Sequence, residues 1–237
     1  YKFAADDTYP SSEKLYDWEL GYQYTAPRLS LGVNLYYMKY KDQLVPTGMV
    51  NDDSNALNTN VPDSYRRGVE LSASWRATGW FTVGANATFS QNRIENYVDA
   101  LKDSPTYGKE LGDMTIAYSP DVIANAFLNF HHRGFEAVFH TQHVGKQYFT
   151  NNENDALSLD AYCVTNLNLA YTFRTRTARS VRLGLLINNL FNAEYESNGY
   201  GYSYMDTWSG PAPVRIDEAY YFPQAPLNVL ANVTVKF

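Results

Sequence analysis

The chain has a single cysteine, Cys163, among its 237 residues. One thiol closes no internal disulfide, so no cystine framework holds this fold and the cellular compartment has to be read from other features. Long apolar runs are also missing: a helical membrane span takes about 18 apolar residues in a row, and none occurs. That excludes a helical membrane protein. Positive charge is scarce, with 19 basic residues against 25 acidic ones, net −6, and no basic stripe that could follow a phosphate backbone, so nucleic acid is not an expected partner. There is no Gly-x-Ser-x-Gly, no phosphate-cradling Gly-x-x-x-x-Gly-Lys and no His pair at the i, i+4 spacing of a zinc-binding helix or at zinc-ribbon spacing. No catalytic residues, no metal site and no resident cofactor are therefore expected. No signal peptide is present; an exported protein needs one, so the amino-terminal part is expected to lie outside this sequence.

What the chain has is alternation. In residues 80–91, Phe81, Val83, Ala85, Ala87 and Phe89 alternate with Thr82, Gly84, Asn86, Thr88 and Ser90 without an error. Period 2 of this kind marks a strand with one apolar face and one wet face. Residues 29–40 repeat it, with Leu29, Leu31, Val33, Leu35 and Tyr37 on one face. Residues 226–237 do so again, with Leu227, Val229, Ala231, Val233, Val235 and Phe237. Six further strands are predicted over 15–25, 64–76, 119–131, 134–146, 161–174 and 180–190, which makes nine. About 12 residues at ~3.3 Å each, tilted by ~45°, rise ~28 Å and so match the ~25 Å apolar band of a membrane barrel. The mean hydropathy of −0.42 is compatible with this, because only every second residue of such a wall faces lipid.

The connections alternate in length. Residues 26–28, 77–79, 132–133 and 174–179 are tight, whereas 41–64, 92–118, 147–160 and 191–225 are long. Bacterial transmembrane barrels place short turns in the periplasm and extended loops outside; a soluble sandwich has no reason to sort its loops by parity. The expected fold is all-β: a transmembrane antiparallel β-barrel of the bacterial outer membrane, in contact with its lipid. Aromatic residues gather where strands end, at Tyr24, Trp80, Phe81, Phe135, Tyr171, Phe173 and Phe237 on the turn side and at Tyr37, Tyr40, Phe89 and Phe149 on the loop side, as an interfacial belt requires. Cross-strand aromatic pairing in a water-soluble sheet is the competing explanation. Nine strands leave two edges unpaired in lipid, so residues 1–237 are expected to form the carboxy-terminal segment of one larger barrel domain.

The run Leu186-Ile187-Asn188-Asn189-Leu190-Phe191-Asn192-Ala193-Glu194-Tyr195 resembles the penultimate-strand motif of TonB-dependent outer-membrane transporters. Ser12 to Tyr22, Tyr65 to Leu71 and the closing Asn232 to Phe237 resemble the same family in order and spacing, so the resemblance covers nearly the whole chain. It implies a barrel of about 22 strands around an amino-terminal plug, with the plug and the TonB-engaging box outside this sequence. It also implies active import of a scarce metal chelate, a ferric siderophore or haem ahead of cobalamin, with TonB as partner. A passive porin, an oligosaccharide or peptide importer and, at lower rank, a barrel enzyme are the alternatives. By the same resemblance Val233, Val235 and Phe237 form the signal read by the barrel-assembly machinery; the plain alternative is a strand that ends in an aromatic residue.

Candidate ligand residues lie in two places. The long 191–225 connection carries Tyr200, Tyr202, Tyr204, Trp208, Tyr220 and Tyr221, amphipathic rings suited to a ligand or partner surface, and Gly199 and Gly201 alternate with them in a way that would let the backbone move with a ligand. Rings that merely fold the segment onto the rim are the alternative. A surface lipoprotein capping these loops is a further possible partner. On the lumen side Glu136, His140 and Gln142 share a face; His140 and His143 point to opposite faces and share no metal. Asp52-Asp53 and Asn151 to Asp155 supply oxygen ligands of the type Ca²⁺ takes, although no EF-hand spacing accompanies them. The sequons at Asn86 and Asn232 fall within strands and are read as chance matches.

Overall fold

The computed structural model describes residues 10–50 and 56–237. Among the described residues there are fourteen strands: β1 Lys14–Ala26, β2 Leu29–Val50, β3 Ala56–Arg76, β4 Phe81–Ile94, β5 Met114–Thr115, β6 Val122–His132 and β7 Phe135–Val144, followed by β8 Gln147–Tyr148, β9 Ser158–Leu159, β10 Tyr162–Phe173, β11 Ser180–Asn188, β12 Glu196–Asp206, β13 Val214–Pro223 and β14 Asn228–Lys236. One sheet runs β1-β2-β3-β4-β6-β7-β10-β11-β14, every pair antiparallel, with β5 attached to β4. These are the nine expected strands in the expected order. The protein is a partial β-barrel wall.

Register shows why alternation dictates the wall. Tyr24 pairs with Leu31, Leu31 with Ala73, Ala73 with Ala85 and Ala85 with Ala126, so one apolar and aromatic row crosses five strands. Trp18, Leu20, Trp75, Val229 and Val233 are all more than half exposed. Contiguous exposed apolar surface on this scale belongs against lipid and not water. The opposite face is polar: Asn34 Nδ2 lies between Glu19 Oε2 at 3.4 Å and Glu70 Oε2 at 3.3 Å, and Asn125 donates to Asn86 at 3.2 Å.

The tight turns have specific causes. Arg133 and Gly134 both have positive φ, 47° and 85°, which is what a two-residue hairpin between right-twisted strands demands. A Cβ on Gly134 would lie 2.3 Å from the Thr172 carbonyl oxygen of β10, so glycine is required there twice over.

Two of the long connections differ from expectation. β2 and β3 continue as a ribbon to Val50 and from Ala56, well past the predicted limits of 40 and 64. The connection 191–225 contains the β12–β13 hairpin. Two belt assignments are also corrected. Phe149 is 1% exposed inside a cluster with Leu157 and Leu159. Tyr40 shares a strand face with Tyr36 and Met38, to whose Sδ its hydroxyl donates at 3.8 Å, and so faces the lumen.

Candidate functional site

The outer loops pack into a layer with its own cores. Val45, Val61, Ile94, Tyr97 and Ile116 form one cluster where the β2–β3 ribbon meets the 92–118 loop. Burial there, with a contribution from Asp99, pushes the Tyr97 phenol up to about 12. Phe149, Leu157 and Leu159 form the other, with Ala219 of β13 against it.

Polar side chains tie the layer together. Asn151, fully buried, donates to the Pro46 carbonyl at 2.6 Å and accepts from the Ala117 N–H at 2.7 Å. Glu153 accepts from the Thr115 N–H at 3.0 Å and from the Thr115 hydroxyl, and it pairs with Arg93. Desolvation opposes ionisation of Glu153, yet the Thr115 and Arg93 contacts hold its carboxyl below the usual range. Asp155 pairs with Lys146, and Asn154 caps the short 3₁₀ turn Asp155–Leu157. The oxygen-rich run Asn151 to Asp155 is thus engaged in protein bonds that build the layer, in place of the Ca²⁺ ligation considered for it. Asp52 and Asp53 lie outside the described residues.

The β12–β13 hairpin rests on this layer. Gly199 and Gly201 face inward: a Cβ on Gly199 would sit 2.7 Å from Phe149 Cζ, and one on Gly201 2.9 Å from Leu157 Cδ2. These glycines allow close approach and so do not serve the backbone mobility expected of them. The outward face carries the tyrosines. Tyr200 pairs with Tyr220 and stacks on it with centroids 5.0 Å apart; Tyr202 lies 6.4 Å from both Tyr220 and Tyr204. Three hydroxyls donate to one carboxylate, Tyr202 to Glu218 Oε2 at 2.7 Å, Tyr220 to the same oxygen at 2.8 Å and Tyr204 to Oε1 at 3.1 Å. These bonds, Tyr202 first, hold the Glu218 carboxyl below its ordinary value, and Glu218 raises the phenols of Tyr202 and Tyr204 in return. Sequence reasoning missed Glu218, although its place two residues before Tyr220 puts it on the same strand face.

Of the predicted loop residues, Tyr200, Tyr202, Tyr204 and Tyr220 come together on this face. Tyr221 points the other way, 5.8 Å from the Phe149 ring, and Trp208 stands at the hairpin tip, 84% exposed. The lumen candidates do not converge. Glu136 forms a two-pronged ion pair with Arg182, 2.8 and 2.7 Å, across β10, while His140 and Gln142 lie further along β7. Val233 and Val235 lie on the apolar face of β14 opposite Leu183 and Val181, with Phe237 beyond the strand.

The Asn-Leu-Phe-Asn segment is a structural corner. Asn189 and Asn192 take left-handed φ of 51° and 52°. Asn189 donates to Ala193 O and accepts from its N–H, both at 2.8 Å, and Asn192 Oδ1 accepts from the Leu227 N–H at 2.9 Å. The corner fixes where the hairpin leaves β11 and returns to β14.

A lipid-facing sheet with parity-sorted connections, covered outside by a folded loop layer, defines a wall segment of an outer-membrane β-barrel. Residues 5–190 match the family model described as TonB dependent receptor-like, beta-barrel. The chain belongs to the TonB-dependent receptor family, whose barrels reside in the bacterial outer membrane. Solved structures share the fold. The ferric yersiniabactin uptake receptor FyuA from Yersinia pestis superposes with a TM-score of 0.66 at 20% identity, covering 95% of this chain and 30% of its own. The copper transporter OprC gives 0.63 at 20% identity over 95% and 31%. The ferric preacinetobactin receptor BauA from Acinetobacter baumannii gives 0.63 at 14% identity over 95% and 30%. The chain therefore spans about 30% of the length of these structures.

Proposed function

We propose that this chain is the carboxy-terminal wall of a barrel that imports a scarce metal chelate with energy delivered through TonB, a ferric siderophore or haem being favoured over cobalamin. The reading is one of transport rather than catalysis. The observation that carries it is the tyrosine face of β12–β13, four rings and one carboxylate held outward by a packed layer. Stacked rings offer rigid, amphipathic area at low entropic cost. Residues 41–63, 92–118, 145–160 and 189–227 together hold 17 acidic side chains against 6 basic ones. An acidic rim raises the local concentration of cationic solutes and opposes multiply anionic ones, which among ferric siderophores favours a neutral or cationic one.

Binding tests the reading. The full-length parent protein is titrated with a neutral hydroxamate-type ferric chelate, haem and cobalamin, following tyrosine emission. Saturable binding of one chelate that weakens in Y200A/Y220A supports the assignment. Binding of none of them, together with uptake of an oligosaccharide or peptide, overturns it.

A further inference from the structure

The net charge of −6 conceals a segregation by side. The four tight turns and the end of β14, residues 26–29, 76–81, 131–135, 173–180 and 235–237, hold seven cations and no Asp or Glu. Six are arginines: Arg28, Arg76, Arg133, Arg174, Arg176 and Arg179. All six are exposed, and none makes a salt bridge among the described residues. The outer loops have the opposite sign, so this is not a generally basic surface.

The β10–β11 turn concentrates the pattern. Arg174, Arg176 and Arg179 fall within six residues whose backbone is closed without them, by Thr175 N–H to Ala178 O at 3.2 Å and Ala178 N–H to Thr175 Oγ1 at 2.9 Å. The guanidinium groups are spare to the fold. Directly above them Tyr171 and Phe173 stack on the lipid-facing side with centroids 5.9 Å apart. An aromatic pair there marks the depth at which acyl chains give way to headgroups. Arginine beyond that level presents a planar fork of donors that matches phosphate oxygens.

We propose that the Arg174, Arg176 and Arg179 turn, at the periplasmic edge of the wall, binds the phosphate of anionic phospholipids in the inner leaflet of the outer membrane. Its neighbours Arg28, Arg76 and Arg133 extend the same basic edge along successive hairpins. The assignment is independent of the chelate transported.

The test uses the full-length parent protein in nanodiscs with equal phosphatidylglycerol and phosphatidylethanolamine of matched acyl chains, with retained lipids counted by native mass spectrometry after partial delipidation. Phosphatidylglycerol should be retained several-fold over phosphatidylethanolamine. R174Q/R176Q/R179Q should bring the ratio towards one, R174K/R176K/R179K should keep much of the preference, and K102Q/K109Q on the outer side should leave it unchanged. If the glutamine variant does not fold, a salt titration of the unaltered protein decides, because a headgroup contact of this kind weakens as salt rises. Equal retention of the two lipids, a preference that survives the glutamine variant, or a preference abolished by inorganic phosphate at matched concentration would overturn the proposal, the last assigning a free-phosphate site.

Discussion

The Tyr202 hydroxyl donates to Glu218 Oε2 at 2.7 Å, binding β12 to β13 on the outward face of the hairpin. Glu218 has its carboxyl pKa depressed below 4.5, by Tyr202 first and then Tyr220, so its contribution is present above 4.5 and lost as pH falls through the lower native value. Tyr202 has its phenol raised above 10.0, by Glu218 first, so its contribution is present below 10.0 and lost as pH rises through the higher native value. Chelate affinity and hairpin tyrosine emission should therefore be flat between these limits and fall on either side. E218Q should remove the acid limb; an acid limb that persists in E218Q contradicts the linkage.

Asn151 joins two distant segments with one amide. N151A strands the Pro46 carbonyl and the Ala117 N–H, at roughly 1–3 kcal/mol each. Proteolysis of residues 147–160 in the full-length parent should accelerate while the heat-modifiable mobility of the barrel is retained. Equal cleavage rates would show that the outer layer does not depend on this side chain.

The hairpin seat is tight at Gly199. G199V drives a branched side chain into Phe149 and should cost roughly 1–3 kcal/mol of local stability, seen as faster proteolysis within 191–225 and weaker chelate binding. G79V, at a turn glycine with nothing within 4 Å, is the matched control and should change neither.

Much of the wall was legible because each spanning strand must show lipid one face and water the other, a demand that writes period 2 directly into 80–91, 29–40 and 226–237. The ribbon beyond Tyr40 was not, since Gln43, Val45 and Thr47 are buried outside the membrane and obey no lipid–water alternation. The hairpin did leave a signal: Gly199, Gly201 and Ser203 alternate with Tyr200, Tyr202 and Tyr204, a strand pattern in which the small residues mark the packed face. The Asn151 bridge to Pro46 spans 105 positions, and no local pattern announces such a contact.

Face assignment gives a direct membrane test. A126R places a charge on the lipid-facing row and should destabilise the parent barrel by roughly 2–4 kcal/mol, while N125R, one residue away and facing the lumen, should cost far less. Similar costs for both would contradict the assignment of faces. E136Q should shift stability by less than about 1 kcal/mol, because the partly exposed Arg182 pair is solvent-screened.

Transport itself is the central claim. Cells expressing the full-length parent, with and without a functional TonB, are supplied with labelled ferric siderophore, haem and cobalamin, and accumulation is counted. The account predicts uptake of one chelate that disappears without TonB and is reduced by Y200A/Y220A; uptake indifferent to TonB would contradict it.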